Sequence, residues 1–206
     1  EKGTDPENPD KPDDVADKYQ ATFRYQAGAN GNVTGTRQEI HTVKEVELNA
    51  DGTVKSEKVI EVNPKAEVTA VPDDGYKFVN WTDEAGKAYK DVEAIKAETF
   101  TTDKTFTANF VKRTDLSYEV HYFYDGKEAE DQKDVKKDVE FGTKIPYDMT
   151  KTTYQDKNYV LEKVEKLSGG IVTTTVENNV VNVYYALDEK GTDPENPDKP
   201  DDVADK

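Results

Sequence analysis

The side chains able to do chemistry in this chain are two histidines, His41 and His121, three serines, Ser56, Ser117 and Ser168, and 44 acids. A histidine that binds metal or acts as a base needs convergent partners at fixed spacing, and no H-x-x-x-H or H-E pattern occurs. Each histidine falls on the polar side of its apparent strand, which predicts a surface or hydrogen-bonded role. None of the serines lies in G-x-S-x-G, so a nucleophile elbow is absent. Gly169-Gly170 is not followed by Lys-Ser or Lys-Thr and reads as a turn, not a phosphate loop. A carboxylate pair of the glycosidase kind is possible by number alone, but the acids are scattered over polar faces and the chain ends. The absence of cysteine removes disulfides, thiolate metal sites and thiol nucleophiles together. The expectation is a protein that is not an enzyme, with no catalytic residue, no cofactor and no metal.

Aromatic residues are the better lead. Twelve tyrosines and seven phenylalanines exceed what thin cores need, and the runs Tyr122-Phe123-Tyr124 and Tyr184-Tyr185 must place rings on both faces of their strands. Phe123 and Tyr184, with Tyr122 and Tyr124 beside them, are the candidate ligand-binding residues, because aromatic side chains present large rigid surfaces to a sugar or a protein epitope. The competing reading is that these rings pack against a helix or a neighbouring unit. A Lys–Asn isopeptide link between Lys18 and Asn109 is also conceivable. Alternation sets Asn109 opposite the Phe106/Ala108/Phe110 face, outside the core, which counts against it.

The elements that must position these residues are strands. Tyr19, Ala21, Phe23 and Tyr25 alternate with Gln20, Thr22, Arg24 and Gln26, the signature of a half-buried strand. Gly28 to Gly35 reads as a loop. Ile40 to Leu48 and Thr53 to Val62 flank Asn49-Ala50-Asp51-Gly52 and predict a hairpin. Further strands are expected at Val68–Val71, Tyr76–Trp81 and Thr105–Val111. After the polar junction Arg113-Thr114-Asp115, a second series follows: Tyr118–Tyr124, Val135–Val139, Tyr159–Val164, Ile171–Val176 and Val180–Leu187. A short helix is expected within Tyr147–Lys157. The fold class is therefore mainly β with a minor α part, in two small domains at 18–112 and 113–188.

The ends frame those domains. Residues 1–18, EKGTDPENPDKPDDVADK, recur letter for letter at 189–206, as in one unit of a tandem array bounded by copies of its linker. Prolines 6, 9 and 12 match the three-residue turn of polyproline II, so 1–17 and 189–206 read as extended Pro/Asp-rich linkers. Each copy carries seven acids and three lysines, and the two copies together hold half of the net charge of −16. An acidic chain without a basic stripe does not suit nucleic acid, and no apolar run is long enough for membrane insertion.

Two resemblances refine this reading. Gly75-Tyr76-Lys77-Phe78-Val79-Asn80-Trp81, then Gly86, then Thr105-Phe106-Thr107-Ala108-Asn109-Phe110, is similar to the internalin B-type bacterial surface repeat over about residues 18–112. Val120–Gly126, Phe141–Ile145, Tyr159–Leu161 and Asn179–Tyr185 resemble the MucBP-like modules of Gram-positive adhesins over about residues 114–188. Both resemblances imply a β-grasp-like fold on an extracellular, wall-anchored protein. The MucBP-like resemblance further implies contact with host glycoprotein or mucin, made multivalent by neighbouring repeats of the same chain. Capture of host immunoglobulin and a purely structural stalk are the alternatives.

Overall fold

The computed structural model describes residues 17–188, 190–193 and 196–204, with side chains from Tyr19 to Asp188. The chain packs as two units, Glu1–Lys112 and Arg113–Lys206, and strands dominate both.

In the first unit the strands are β1 (Asp17–Ala27), β2 (Gly31–Gly35), β3 (Gln38–Leu48), β4 (Val54–Val59), β5 (Val68–Pro72), β6 (Tyr76–Thr82), β7 (Ala88–Tyr89) and β8 (Lys104–Lys112), with one helix, α1 (Val92–Lys96). Six of them form a sheet in the order β4-β3-β1-β8-β6-β7. β1 lies antiparallel to β3 and parallel to β8. The alternation read from Tyr19 to Tyr25 has its cause here: Ala21, Phe23 and Tyr25 are buried against Phe106, Ala108, Trp81 and Ile95. Each large apolar side chain removed from water contributes about 1.5–3 kcal/mol, so this row carries much of the unit.

The predicted Asp-Gly hairpin joins β3 to β4, with Gly52 at φ +81° and its N–H donating to Asn49 O at 2.8 Å. The glycine-rich stretch expected to be a loop is instead β2, paired with β5 from Gly31↔Pro72 to Gly35↔Val68. Its glycines give room for that pairing. A Cβ on Gly35 would stand 2.2 Å from Glu67 O, at a φ of +88° that side chains resist. The helix α1 was not anticipated, although Asp91 caps it by accepting from Ala94 N–H at 2.8 Å.

The second unit contains β9 (Leu116–Tyr124), β10 (Lys127–Glu128), β11 (Asp134–Val139), β12 (Thr153–Tyr154), β13 (Lys157–Lys166), β14 (Val180–Leu187), β15 (Lys190–Asp193) and β16 (Asn196–Ala204), with 3₁₀ turns at Glu130–Gln132 and Val176–Asn178. Its sheet runs β10-β9-β14-β13-β12, and β11 also pairs with β9. Again the first long strand, β9, lies parallel to the last, β14, in the middle of the sheet. Val120, Tyr122, Tyr124, Val181, Val183 and Tyr185 fill the core beneath, closed by Ile145 and Val172.

Three expectations are corrected here. No helix forms within Tyr147–Lys157. Asp148 instead folds the backbone locally by accepting from Thr150 N–H, while Tyr122 Oη and Tyr185 Oη accept the N–H groups of Asp148 and Lys151 that a helix would need. Ile171–Val176 is not a strand. Its backbone is committed to Asn179, a fully buried side chain whose Oδ1 accepts from Thr173 N–H and Oγ1, and whose Nδ2 donates to Ser117 O and Thr173 O. Nor is the described part of 189–206 a single extended spacer, since β15 pairs antiparallel with β16 in a register that shifts on both sides of Thr192. Prolines lack the N–H a regular ladder requires, and Pro197 and Pro200 both fall in β16. Residues 1–16 lie outside the described residues, while Asp17 and Lys18 open β1.

Candidate functional site

The outward row of the second sheet is built by strand alternation. β9 turns Glu119, His121 and Phe123 away from the core, β14 turns Asn182 and Tyr184, and the register sets Tyr184 beside Phe123 and Asn182 beside His121. Lys163 of β13 is opposite Tyr184, and Glu165 is opposite Asn182. Phe123 and Tyr184 stack with centroids 4.7 Å apart and planes 17° from parallel, and His121 lies 6.5 Å from Phe123 at the same tilt. Lys163 Nζ stands 4.6 Å from the Tyr184 ring centroid. Tyr184 Oη donates to Glu165 at 2.9 Å, and Lys163 pairs with the same carboxylate at 2.9 Å. Partial burial, reinforced by Glu165, pushes the Tyr184 hydroxyl above its usual pKa. The Lys163 and Tyr184 bonds hold Glu165 below the ordinary carboxylate range.

Phe123 and Tyr184 are thus both on the outer face, as the alternation required. Their ring faces, however, are turned to each other and to His121 and Lys163. Tyr122 and Tyr124 are a correction to the outer face: both are buried, because they share a parity with Val120, and Tyr122 instead lines a cavity on the inner side of β9. Tyr124 stacks on Tyr154 at 4.5 Å and Tyr185 at 5.1 Å and donates to Lys151 O at 2.9 Å, which makes it a core residue. His121 is held between Glu119, at 2.8 Å, and Glu128.

A concave feature lies on the opposite side of β9. Tyr118, Tyr122, Asp134, Val135, Lys136, Pro146, Tyr147 and Asp148 line a cavity of about 460 Å³. A second cavity of about 350 Å³ uses Pro146 and Tyr147 again, with Lys144, Ile145 and Met149. Aromatic walls with two carboxylates and one lysine suit a polar ligand that has apolar faces, such as a saccharide. The residues come from β9, β11 and the 146–148 loop, so no local motif announced them. The only signal was the Pro146-Tyr147-Asp148 run after the F-G-T-x-I segment. Asp148 carries the mark of a structural acid. Its Oδ1 accepts from Thr150 Oγ1 and N–H at 2.7 Å each, which lowers its pKa, whereas a general acid needs a raised one.

The first unit buries a polar cluster that sequence reasoning missed. Glu39 Oε1 accepts from Tyr25 Oη at 2.7 Å, while its Oε2 accepts from Lys65 N–H at 2.8 Å and also lies 2.8 Å from His41 Nε2. The His41 ring packs at a tilt against Phe23, with centroids 5.1 Å apart, on the buried side of β3 and not the polar one. A bulge is the reason: β1 and β3 change register between Tyr19 and Gln20, where Val43 is skipped, and the inward positions pass from Glu39, His41 and Val43 to Val46. Asn109, by contrast, lies outside the core as expected, donating to Asn80 Oδ1 at 2.9 Å and Thr82 Oγ1 at 3.1 Å. Among the described residues no group of three or more His, Cys, Asp or Glu is arranged to hold a metal ion.

Residues 41–114 match the family described as the divergent InlB B-repeat domain. The match supports the internalin B-type resemblance over that span. That family is typical of bacterial surface proteins, and over the matched span the first unit is similar to such a repeat. The matched span begins inside β3 and omits β1 and β2, although β1 is central to the sheet. No curated protein matches the chain. No helix among the described residues is long and apolar enough to cross a membrane.

Proposed function

We propose that the chain is a non-catalytic repeat segment of a Gram-positive, wall-anchored surface protein of adhesin or stalk type. The observation that carries this reading is the identical 18-residue segment at 1–18 and 189–206, bracketing a span that matches a bacterial surface repeat family. Repetition projects a distal domain from the cell and multiplies weak sites by effective concentration. The MucBP-like resemblance of the second unit makes mucin or another host glycoprotein the favoured ligand. The tyrosine-lined cavity beside β11 is where a saccharide fits best. Host immunoglobulin is the second reading, and β4, a sheet edge exposed along its whole length, supports it.

The test compares one copy with three linked copies on immobilised mucin, matrix protein and immunoglobulin. Mucin binding should strengthen at least tenfold with three copies. It should fall severalfold in a Tyr118→Ala, Tyr147→Ala double variant, while Phe123→Ala leaves it largely intact. Retention on immunoglobulin alone would transfer the proposal to the second reading, and no retention on any surface would leave the stalk.

A further inference from the structure

Each of the two large sheets places its first strand beside its last, parallel and in the middle of the sheet. In the first, Phe23–Ala27 of β1 runs along Lys104–Ala108 of β8, extended by Gly28 N–H to Ala108 O at 2.9 Å. In the second, Glu119–Tyr124 of β9 runs along Val180–Tyr185 of β14, extended at both ends by Glu119 N–H to Asn179 O and Asp125 N–H to Tyr185 O, each 2.9 Å. Because the paired strands are parallel, the start of one and the end of the other lie at opposite ends of their ladder. A pull on the chain therefore acts along the strands and loads every hydrogen bond of the ladder together. In an antiparallel terminal pair the same pull would open the bonds one after another.

The geometry points to a load-bearing function: each unit is a shear clamp, and the chain carries tension between its two ends whether or not it holds a ligand. Resistance to force depends on the unfolding barrier and not on equilibrium stability, so thin cores do not count against it. The barrier rises when water is kept from stretched hydrogen bonds, since water that satisfies the freed N–H and C=O groups lowers the cost of opening them. On the inner side the ladders are sealed by Phe23, Tyr25, Phe106 and Ala108, and by Tyr122, Tyr124, Val183 and Tyr185. On the outer side of the second unit the Phe123–Tyr184 stack straddles β9 and β14 at paired positions. The first unit has only a Gln26–Thr107 hydrogen bond at the comparable place, 3.0 Å long. The second clamp is the longer and better covered of the two, and it is the stronger.

The chain has no cysteine, so handles can be introduced one pair at a time. Stretching the full chain by its ends in a single-molecule force instrument should give two ruptures, lengthening it by roughly 300 Å and roughly 220 Å at ~3.4 Å per residue. The shorter gain, from the second unit, should come at the higher force. Handles at Thr114→Cys and Glu177→Cys, both exposed and both at the starts of the paired strands, pull the same ladder open from one end. Rupture of the second unit should then need less than half the end-to-end force at the same pulling rate. Phe123→Ala should lower the end-to-end force while leaving the lengthening unchanged. Equal forces for the two handle geometries would overturn the proposal, and so would extension without discrete ruptures.

Discussion

Glu39 shows how one side chain ties together segments that the sequence keeps apart. Burial opposes its charge, but the Lys65 N–H, Tyr25 Oη, His41 and the Ala66 N–H outweigh that cost and lower its pKa. A carboxyl depressed in the folded state contributes stability that is complete above its unfolded value and lost as pH falls through the folded one. Tyr25, pushed up chiefly by burial and then by Glu39, behaves oppositely and costs stability as pH rises beyond about 10. The fluorescence of Trp81, the only tryptophan and a buried residue of the first unit, reports on this unit alone. Urea midpoints followed at Trp81 should fall steadily below pH 4.5, and Glu39→Gln should be less stable at pH 7 and flatter in acid. A wild-type midpoint that stays level down to pH 3 would contradict this. The histidine in the cluster was visible in the sequence, but its inward direction was not, because a bulge leaves no mark in the alternation that an observer reads.

At the scale of elements, legibility followed the hydrogen-bond partner. Strands that pair with neighbours over most of their length, such as β1, β9 and β14, betray themselves by alternation, and the β3–β4 hairpin by its Asp-Gly turn. Segments held by side chains did not. The stretch 171–176 has strand-forming residues, yet a single amide decides its path by bonding Thr173 and Ser117 from within the core. Asn179→Ala removes the partner of Thr173 N–H, Thr173 O and Ser117 O, at about 1–3 kcal/mol for each one that water cannot reach. The second unit should lose about 3 kcal/mol in denaturant unfolding, measured by circular dichroism on residues 113–188. A loss below ~0.5 kcal/mol, the range of ordinary surface substitutions, would show that Asn179 is not the support described.

For the molecule as a whole, the family match and the packed unit differ in extent, and the difference is testable. The span 41–114 lacks Ala21, Phe23, Tyr25 and Val33 of the core, and with β1 removed β3 loses its neighbour toward β8. At about 1.5–3 kcal/mol for each large side chain, that loss is comparable with the entire stability of a small domain, ~5–15 kcal/mol. A fragment of residues 17–114 should give a cooperative unfolding transition and a buried Trp81, whereas 41–114 should give neither. A folded 41–114 would mean that β1 is an addition to the domain and not its centre.

Composition and order of residues settled on their own that this is a β-rich chain in two halves, repetitive at its ends, acidic and without cysteine. Such properties depend on neighbours along the chain: alternation, turn residues, charge and copied segments. Which tyrosines face outward in usable form, which acid is buried, and that first and last strands run parallel at the middle of each sheet were decided only by folding. Those outcomes depend on register between strands some 60 to 80 residues apart, and no local pattern records which distant partner a strand will find.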